Sequence, residues 1–422
     1  MFYLLFIFYL AAACFFITRI SFIKNSNLTV KTIIILFLLK IAAGLAYGYI
    51  SIHFYQQGSD NWALNIYGKQ EYQLMISHPK IFFTDIFKSN YEELYGDFFG
   101  STRSYWNDLK NNILIKVIAV LNIFSRGNYY INSLFFNFIC FFGHIALYRV
   151  FINIYTNKKW AVLTGCFLLP SALYFSSGLN KDCLVFAMLG IFCYSMYFSL
   201  KYQFNLKKII SISISLFVLL FVRNYVVVAL LPCAIAWVVC SRYKTNILST
   251  FLSVYILLVF AIICLQLIPP FFNPLKIITQ KQQAFFTLPV AASQMKIDTL
   301  EPTARSFITS APTAINHAVI RPYFWEFSSI FYKLVSIEFI FYQFLFLLML
   351  LFYKKTKPPN PFISFCILSA ITLLLFIGYI VPNAGSLIRY RGIYVSLLIT
   401  PIICSVNWYK IMNLLHITNK KM

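Results

Sequence analysis

Ile247 to Ile268 reads ILSTFLSVYILLVFAIICLQLI, twenty-two residues without a charge, set between Lys244 and Pro269. The hydrocarbon core of a bilayer is crossed by about 20 apolar residues in helical conformation, so this run is long enough to span it. Runs of the same character recur at 2–19, 32–55, 129–155, 160–176, 183–201, 207–222, 226–241, 328–352, 361–381 and 392–408. Together they predict an all-α, polytopic membrane protein with about eleven transmembrane helices. A chain of 422 residues with 60% hydrophobic and only 11% charged residues is not a water-soluble domain. A membrane β-barrel would need short alternating segments, and none are present. The first run, from Phe2 to Ile17, has no basic residue before it and reads as an uncleaved span rather than a signal peptide.

Charge sets the orientation. The formal net charge of +23 is divided among short clusters between apolar runs, such as Lys158 with Lys159, Lys207 with Lys208, and Lys354, Lys355 with Lys357. That distribution excludes a nucleic-acid partner and follows the positive-inside rule. With the N-terminus placed outside, all these clusters fall on one side, and that side holds no carboxylate. Eleven of the twelve acidic residues then fall outside or at outer helix ends, and Glu338 lies within a span. Residues 1–422 read as a single membrane domain in which 56–128 is a first outer loop and 269–327 a second.

Seven of the twelve carboxylates lie between Asp60 and Asp108: Asp60, Glu71, Asp85, Glu92, Glu93, Asp97 and Asp108. A sequence that nearly excludes carboxylates has gathered them in one loop, which makes that loop the first place to look for chemistry. Its aromatic stretches, Ile81-Phe82-Phe83 and Tyr105-Trp106, suit helices lying along the headgroup layer, and the amphipathic stretch 111–125 reads as interfacial or re-entrant.

Within Gly58-Ser59-Asp60-Asn61-Trp62, Asp60 follows a span directly. A carboxylate fixed there can act as general base towards a sugar hydroxyl, or it can simply start a helix. Lys181 and Asp182 occupy a tight outer turn at membrane depth, where ionisable groups call for a partner or a ligand; a snorkelling lysine and a helix cap are the structural alternative. Arg223 sits at the tip between two apolar runs, placed either to bind a lipid phosphate or to anchor the interface beside Tyr225. Arg321 and Glu326 stand five residues apart before the ninth span, suited to phosphate and sugar hydroxyl, or to one another. Arg389 and Arg391 break the positive-inside rule at an outer helix end, which points to an anionic ligand or to pairing with the acidic loop. Lys40, Lys333 and Glu338 lie in or near spans and read as an internal ion pair or a transport path.

Other chemistry is absent from the sequence. No Walker A loop, HExxH or GxSxG occurs, the five histidines are scattered, and all ten cysteines lie in or beside apolar runs. With no ligand motif, a divalent metal is left open and no cofactor is assigned.

Over about residues 32–260 this arrangement resembles the integral membrane glycosyltransferases of the GT-C superfamily. The resemblance lies in layout: a carboxylate early in the first long outer loop, in-plane helices after it, and basic residues on the outer face. It implies a polyprenyl-phosphate-linked sugar donor, a glycan or lipid acceptor, and surrounding membrane lipids. It also implies a bacterial inner membrane with the active site on its periplasmic side. By position, Asp60 alone carries over as the catalytic residue. The chain departs from the family's pattern in that Asp60 belongs to no Asp-Glu or Asp-x-Asp pair and one extra span precedes the loop. The layout is also similar to O-antigen or capsule polymerases, which hold lipid pyrophosphate with outer arginines, as Arg321, Arg389 and Arg391 would. A lipid-linked oligosaccharide flippase, with Lys40, Arg149, Lys333 and Glu338 as interior charges, is the third expectation.

Overall fold

The computed structural model describes residues 2–54, 59–87, 104–266, 273–353 and 360–414. Among them the regular structure is helical throughout. The order begins α1 (Phe2–Arg19), α2 (Ser21–Lys24), α3 (Val30–Phe54), α4 (Asp60–Ser77), α5 (Pro79–Thr84), α6 (Tyr105–Ser125) and α7 (Tyr129–Ile154). It continues with α8 (Lys159–Leu163), α9 (Pro170–Phe175), α10 (Lys181–Lys201), α11 (Leu206–Val222), α12 (Asn224–Tyr243) and α13 (Ile247–Gln266). It ends with α14 (Pro274–Phe286), α15 (Ala304–Ile315), α16 (Ile330–Leu351), α17 (Pro361–Ile380), α18 (Ala384–Ser405) and α19 (Trp408–Leu414). Nine of these helices are long and apolar enough to cross a membrane: α1, α3, α7, α10, α12, α13, α16, α17 and α18. The protein is a polytopic helical membrane protein.

Three runs fold differently from their sequence reading, each for a local reason. The run 160–176 is broken: α8 passes into a π-helical turn at Thr164–Leu168, and Leu169 is extended before Pro170 opens α9. Proline has no N–H to give a preceding turn and pushes the residue before it out of helical geometry. The run 392–408 begins eight residues earlier, as α18, because Asn383 caps the helix by accepting from Ser386 N at 2.7 Å. This moves Arg389 and Arg391 from a helix end into the helix itself. The stretch 111–125 is the latter part of the longer α6, capped by Ser104 and closed by Arg126 and Gly127 at φ 52° and 78°.

Two compact units divide the chain, and each is described by itself. Unit 1 comprises residues 1–149, 173–194 and 210–224; unit 2 comprises 150–172, 195–209 and 225–422. In unit 1, α7 and α10 approach through small residues. A Cβ added at Gly143 would lie 2.3 Å from Ala187 Cα, and one at Gly190 would lie 2.2 Å from Gly143 O. Such contacts let two membrane helices pack at close range, where dispersion and not water expulsion drives association. In unit 2, α18 is the central helix. Its apolar window is 83% buried, against 6% for α13, whose side chains face outward as lipid-facing residues do.

Candidate functional site

In unit 1 the stretch 60–87 and α6 turn the acidic loop into packed helices. Asp60 is the first residue of α4 and is exposed, so its carboxylate lies where a helix N-terminus favours negative charge. The two residues after it are locked in place. Asn61 donates to Ser51 Oγ and to the Tyr129 hydroxyl, both at 2.7 Å. Trp62 donates to Gly48 O at 2.9 Å and stacks on Tyr129 with ring centroids 4.1 Å apart. A Cβ at Gly48 would stand 2.3 Å from Tyr129 Cε1, so glycine is what allows this seat to close. The outcome is an exposed residue at the start of a helix whose next two side chains are anchored on α3 and α7.

Other loop carboxylates are drawn into the packing. Lys116 pairs with Glu71 at 2.9 Å and Asp85 at 2.6 Å, and donates to Phe82 O at 2.8 Å. Asp108 is buried in the first turn of α6. Glu92, Glu93 and Asp97 lie outside the described residues. Beneath the loop, Asn132 joins Asn65 Oδ1 at 2.8 Å and Asn122 Oδ1 at 2.7 Å, a buried amide network that a single sequence does not reveal.

The structure brings together two residues singled out separately from sequence: Arg223 Nη2 lies 2.7 Å from Asp182 Oδ1, and the Asp182 side chain is 1% exposed. Lys181 donates to Asn111 of α6, a partner that spacing along the chain does not predict. Lys40, wholly buried in α3, reaches His144 Nε2 at 3.2 Å and the Ser176 carbonyl.

In unit 2, Arg321 and Glu326 meet face to face. Arg321 Nε donates to Glu326 Oε2 at 3.1 Å, and Nη2 bonds Oε1 of the same carboxylate. Arg321 Nη1 also donates to His317 Nδ1 at 3.0 Å. Arg391 is not at a surface. It is 1% exposed, its Nη1 donates to Arg321 O at 2.7 Å and Ala318 O at 3.1 Å, and its Cζ sits 3.2 Å from the Phe339 ring centroid. Arg389, two residues earlier on α18, is half-buried. Glu338 on α16 makes no ion pair with Lys333 among the described residues. Its carboxylate accepts from Ser171 N at 3.0 Å, from Ser171 Oγ at 2.9 Å and from the Tyr342 hydroxyl. It therefore caps α9, the helix that Pro170 reopens, and accepts from an N–H in its first turn that has no acceptor within the helix. Proline inside an apolar run was the signal in the sequence that such an acceptor was needed.

His317, in the π-helical turn Asn316–Ile320, is buried, and burial together with the Arg321 guanidinium pushes its imidazole down to about 4. An unfolded chain takes up that proton near pH 6.5, so the folded state binds fewer protons between the two values. Stability is expected to hold above pH 6.5 and to fall as the pH drops from there to about 4. His317→Gln is expected to remove this part of the acid sensitivity, read as the difference in Tm between pH 7 and pH 4.5. An unchanged difference in the variant would show that other groups carry the acid response.

Among the described residues no three His, Cys, Asp or Glu side chains gather into a group able to hold a metal ion. No family model, no curated protein and no solved structure matches this chain.

Proposed function

We propose that this protein is an integral membrane glycosyltransferase of cell-surface glycan biosynthesis. It takes a polyprenyl-phosphate-linked sugar on the non-cytoplasmic face of the membrane, in a GT-C-like layout. The observation that supports this reading most is the seat of Asp60. General-base catalysis needs a carboxylate that is accessible and held in a fixed position. Asp60 is exposed, and the Asn61 and Trp62 contacts fix the turn that carries it. In that role it accepts the proton of the acceptor hydroxyl as the oxygen attacks the anomeric carbon and the lipid phosphate leaves.

A second reading, a polymerase acting on lipid-pyrophosphate-linked repeat units, calls on Arg321 and Arg391, which lie close together in unit 2, Arg391 Nη1 donating to the Arg321 carbonyl at 2.7 Å. The two readings differ in what accumulates when the gene is deleted. Lipid-linked precursors extracted from the deletion strain are expected to stall at an incomplete unit lacking one sugar. Complete repeat units stalled on the outer leaflet would overturn the transferase in favour of the polymerase, and complete units trapped inside would point to a flippase.

A further inference from the structure

From Cys183 to Ile297 the chain contains no Asp or Glu, and in unit 2 five cations of that stretch meet. Lys201 ends α10, Lys207 and Lys208 lie in the first turn of α11, and Arg242 and Lys244 stand where α12 gives way to α13. The two connections are joined: the Arg242 guanidinium lies over the Phe204 ring, 4.9 Å from its centroid. Within the first connection Tyr202 stacks on Phe198 with centroids 6.0 Å apart, and the Lys201 and Lys208 ammonium groups lie 5.4 and 5.9 Å from the Tyr202 ring. Cations from two connections therefore share one aromatic-framed patch, on the side that the charge rule assigns to the cytoplasm.

The five have different tasks. Lys201 donates to Asn153 Oδ1 at 2.6 Å and Lys208 to Phe198 O at 3.0 Å, contacts that hold the first connection in shape. Lys207, Arg242 and Lys244 are exposed, and none of them makes an ion pair among the described residues. The positive-inside rule asks only that such charges stay on one side; it does not ask that two connections be packed together through an arginine and a ring. Like charges gathered in this way repel one another, and no carboxylate of the stretch offsets them, so the patch presents an uncompensated positive field. Interleaved with the cations in sequence are Leu206, Tyr243 and Leu248, which are 72%, 77% and 78% exposed. They stand at the ends of helices of which α12 and α13 are long enough to cross the membrane. An acidic protein segment would answer the cations and leave these side chains uncovered. A phospholipid answers both, its phosphate among the cations and its chains beside the leucines.

We propose that this patch binds the headgroup of an anionic phospholipid in the leaflet it faces. Lys207, Arg242 and Lys244 meet the phosphate, while Lys201 and Lys208 hold the connection that presents Lys207. The inference draws on unit 2 alone and is independent of Asp60 and of any sugar transfer.

The test is binding of a chain-labelled phosphatidylglycerol to the delipidated full-length protein in neutral detergent, followed by anisotropy, against phosphatidylcholine carrying the same label. Each cation beside an anionic headgroup contributes about fivefold in affinity, so the three exposed ones together contribute about tenfold to a hundredfold. Phosphatidylglycerol is expected to bind more tightly than phosphatidylcholine by that factor, and the difference to shrink as NaCl rises from about 0.05 to 0.5 M. The triple variant Lys207→Gln, Arg242→Gln, Lys244→Asn is expected to bring phosphatidylglycerol down to the level of phosphatidylcholine. Asparagine is chosen at 244 because the backbone there has φ 52°. A control triple variant, Arg19→Gln, Lys24→Gln, Lys31→Gln, removes as many charges from the same side and is expected to change affinity by less than about threefold. Tm measured on each variant separates lost binding from lost folding. If the first triple variant does not fold, Lys207→Glu at its exposed position takes its place, with an expected loss of about tenfold. Equal binding of the two lipids, an unweakened folded variant, or a control that loses as much would each overturn the proposal. So would an oligoglutamate peptide that displaces the labelled lipid at lower concentration than unlabelled phosphatidylglycerol does, which would assign the patch to an acidic protein segment.

Discussion

Asp60→Asn is expected to reach the membrane in normal amount, to melt close to the parent, and to transfer sugar about 10²–10⁴-fold more slowly, the range for loss of a general base. Two roles compete for this carboxylate, and their magnitudes separate them. As a first-turn anion on α4 it contributes about 0.3–1 kcal/mol through the helix dipole, and the asparagine that replaces it retains the shape and some capping ability. As a base it lowers a barrier by about 3–6 kcal/mol at the stated factor. A loss of stability too small to deplete the folded protein, combined with a large loss of turnover, fits only the second. The assay is transfer from a synthetic lipid-linked donor, with Tm measured on the same preparation. Near-normal turnover in the asparagine variant would reduce Asp60 to a helix-starting residue. The next residues to substitute would then be Glu71, which Lys116 holds, Asp182, which Arg223 holds, and Asp97, which lies outside the described residues.

How far the sequence reveals this protein depends on which force acts. Bilayer physics is visible in one dimension: a span must be long, apolar and internally hydrogen-bonded, so Val30–Phe54 or Ile330–Leu351 is evident from its own residues. Ends are also legible when a cap is read along with hydropathy. Asn383 followed by Ser386 announces α18, whereas hydropathy alone stops at the arginines and leaves Arg391 on the surface. Partners across the bundle are a different matter. That Asp182 meets Arg223, or that Glu338 caps a helix begun by Pro170, depends on the approach of helices far apart in sequence, and spacing along one chain carries no record of it. The same holds for the amides of Asn65, Asn122 and Asn132, each unremarked in its own helix and joined to the others only by the packing of α4, α6 and α7. The candidate site was therefore legible as a set of misplaced charges, and the partners of those charges were not.

Asp182→Ala is expected to destabilise the protein by about 3–5 kcal/mol, the cost of leaving a buried charge without its partner. The Asp182 side chain is 1% exposed and that of Arg223 15%, so water does little to compensate the guanidinium that remains. Against a total stability of about 5–15 kcal/mol, such a loss removes much of the folded population. The double variant Asp182→Ala with Arg223→Met is expected to recover most of it, because no charge is then stranded and the methionine stem still packs. This cycle also decides between the two readings of Arg223. If its main partner were a lipid phosphate, Asp182→Ala would be mild and Arg223→Met would lower donor binding while leaving Tm unchanged. If the pair is structural, Arg223→Met alone destabilises by leaving a buried carboxylate, and donor binding per folded molecule is unaffected. Thermal melts of the two single variants and the double, with donor binding measured on whatever remains folded, give the coupling directly. A double variant no more stable than the worse single one would sink the ion-pair account.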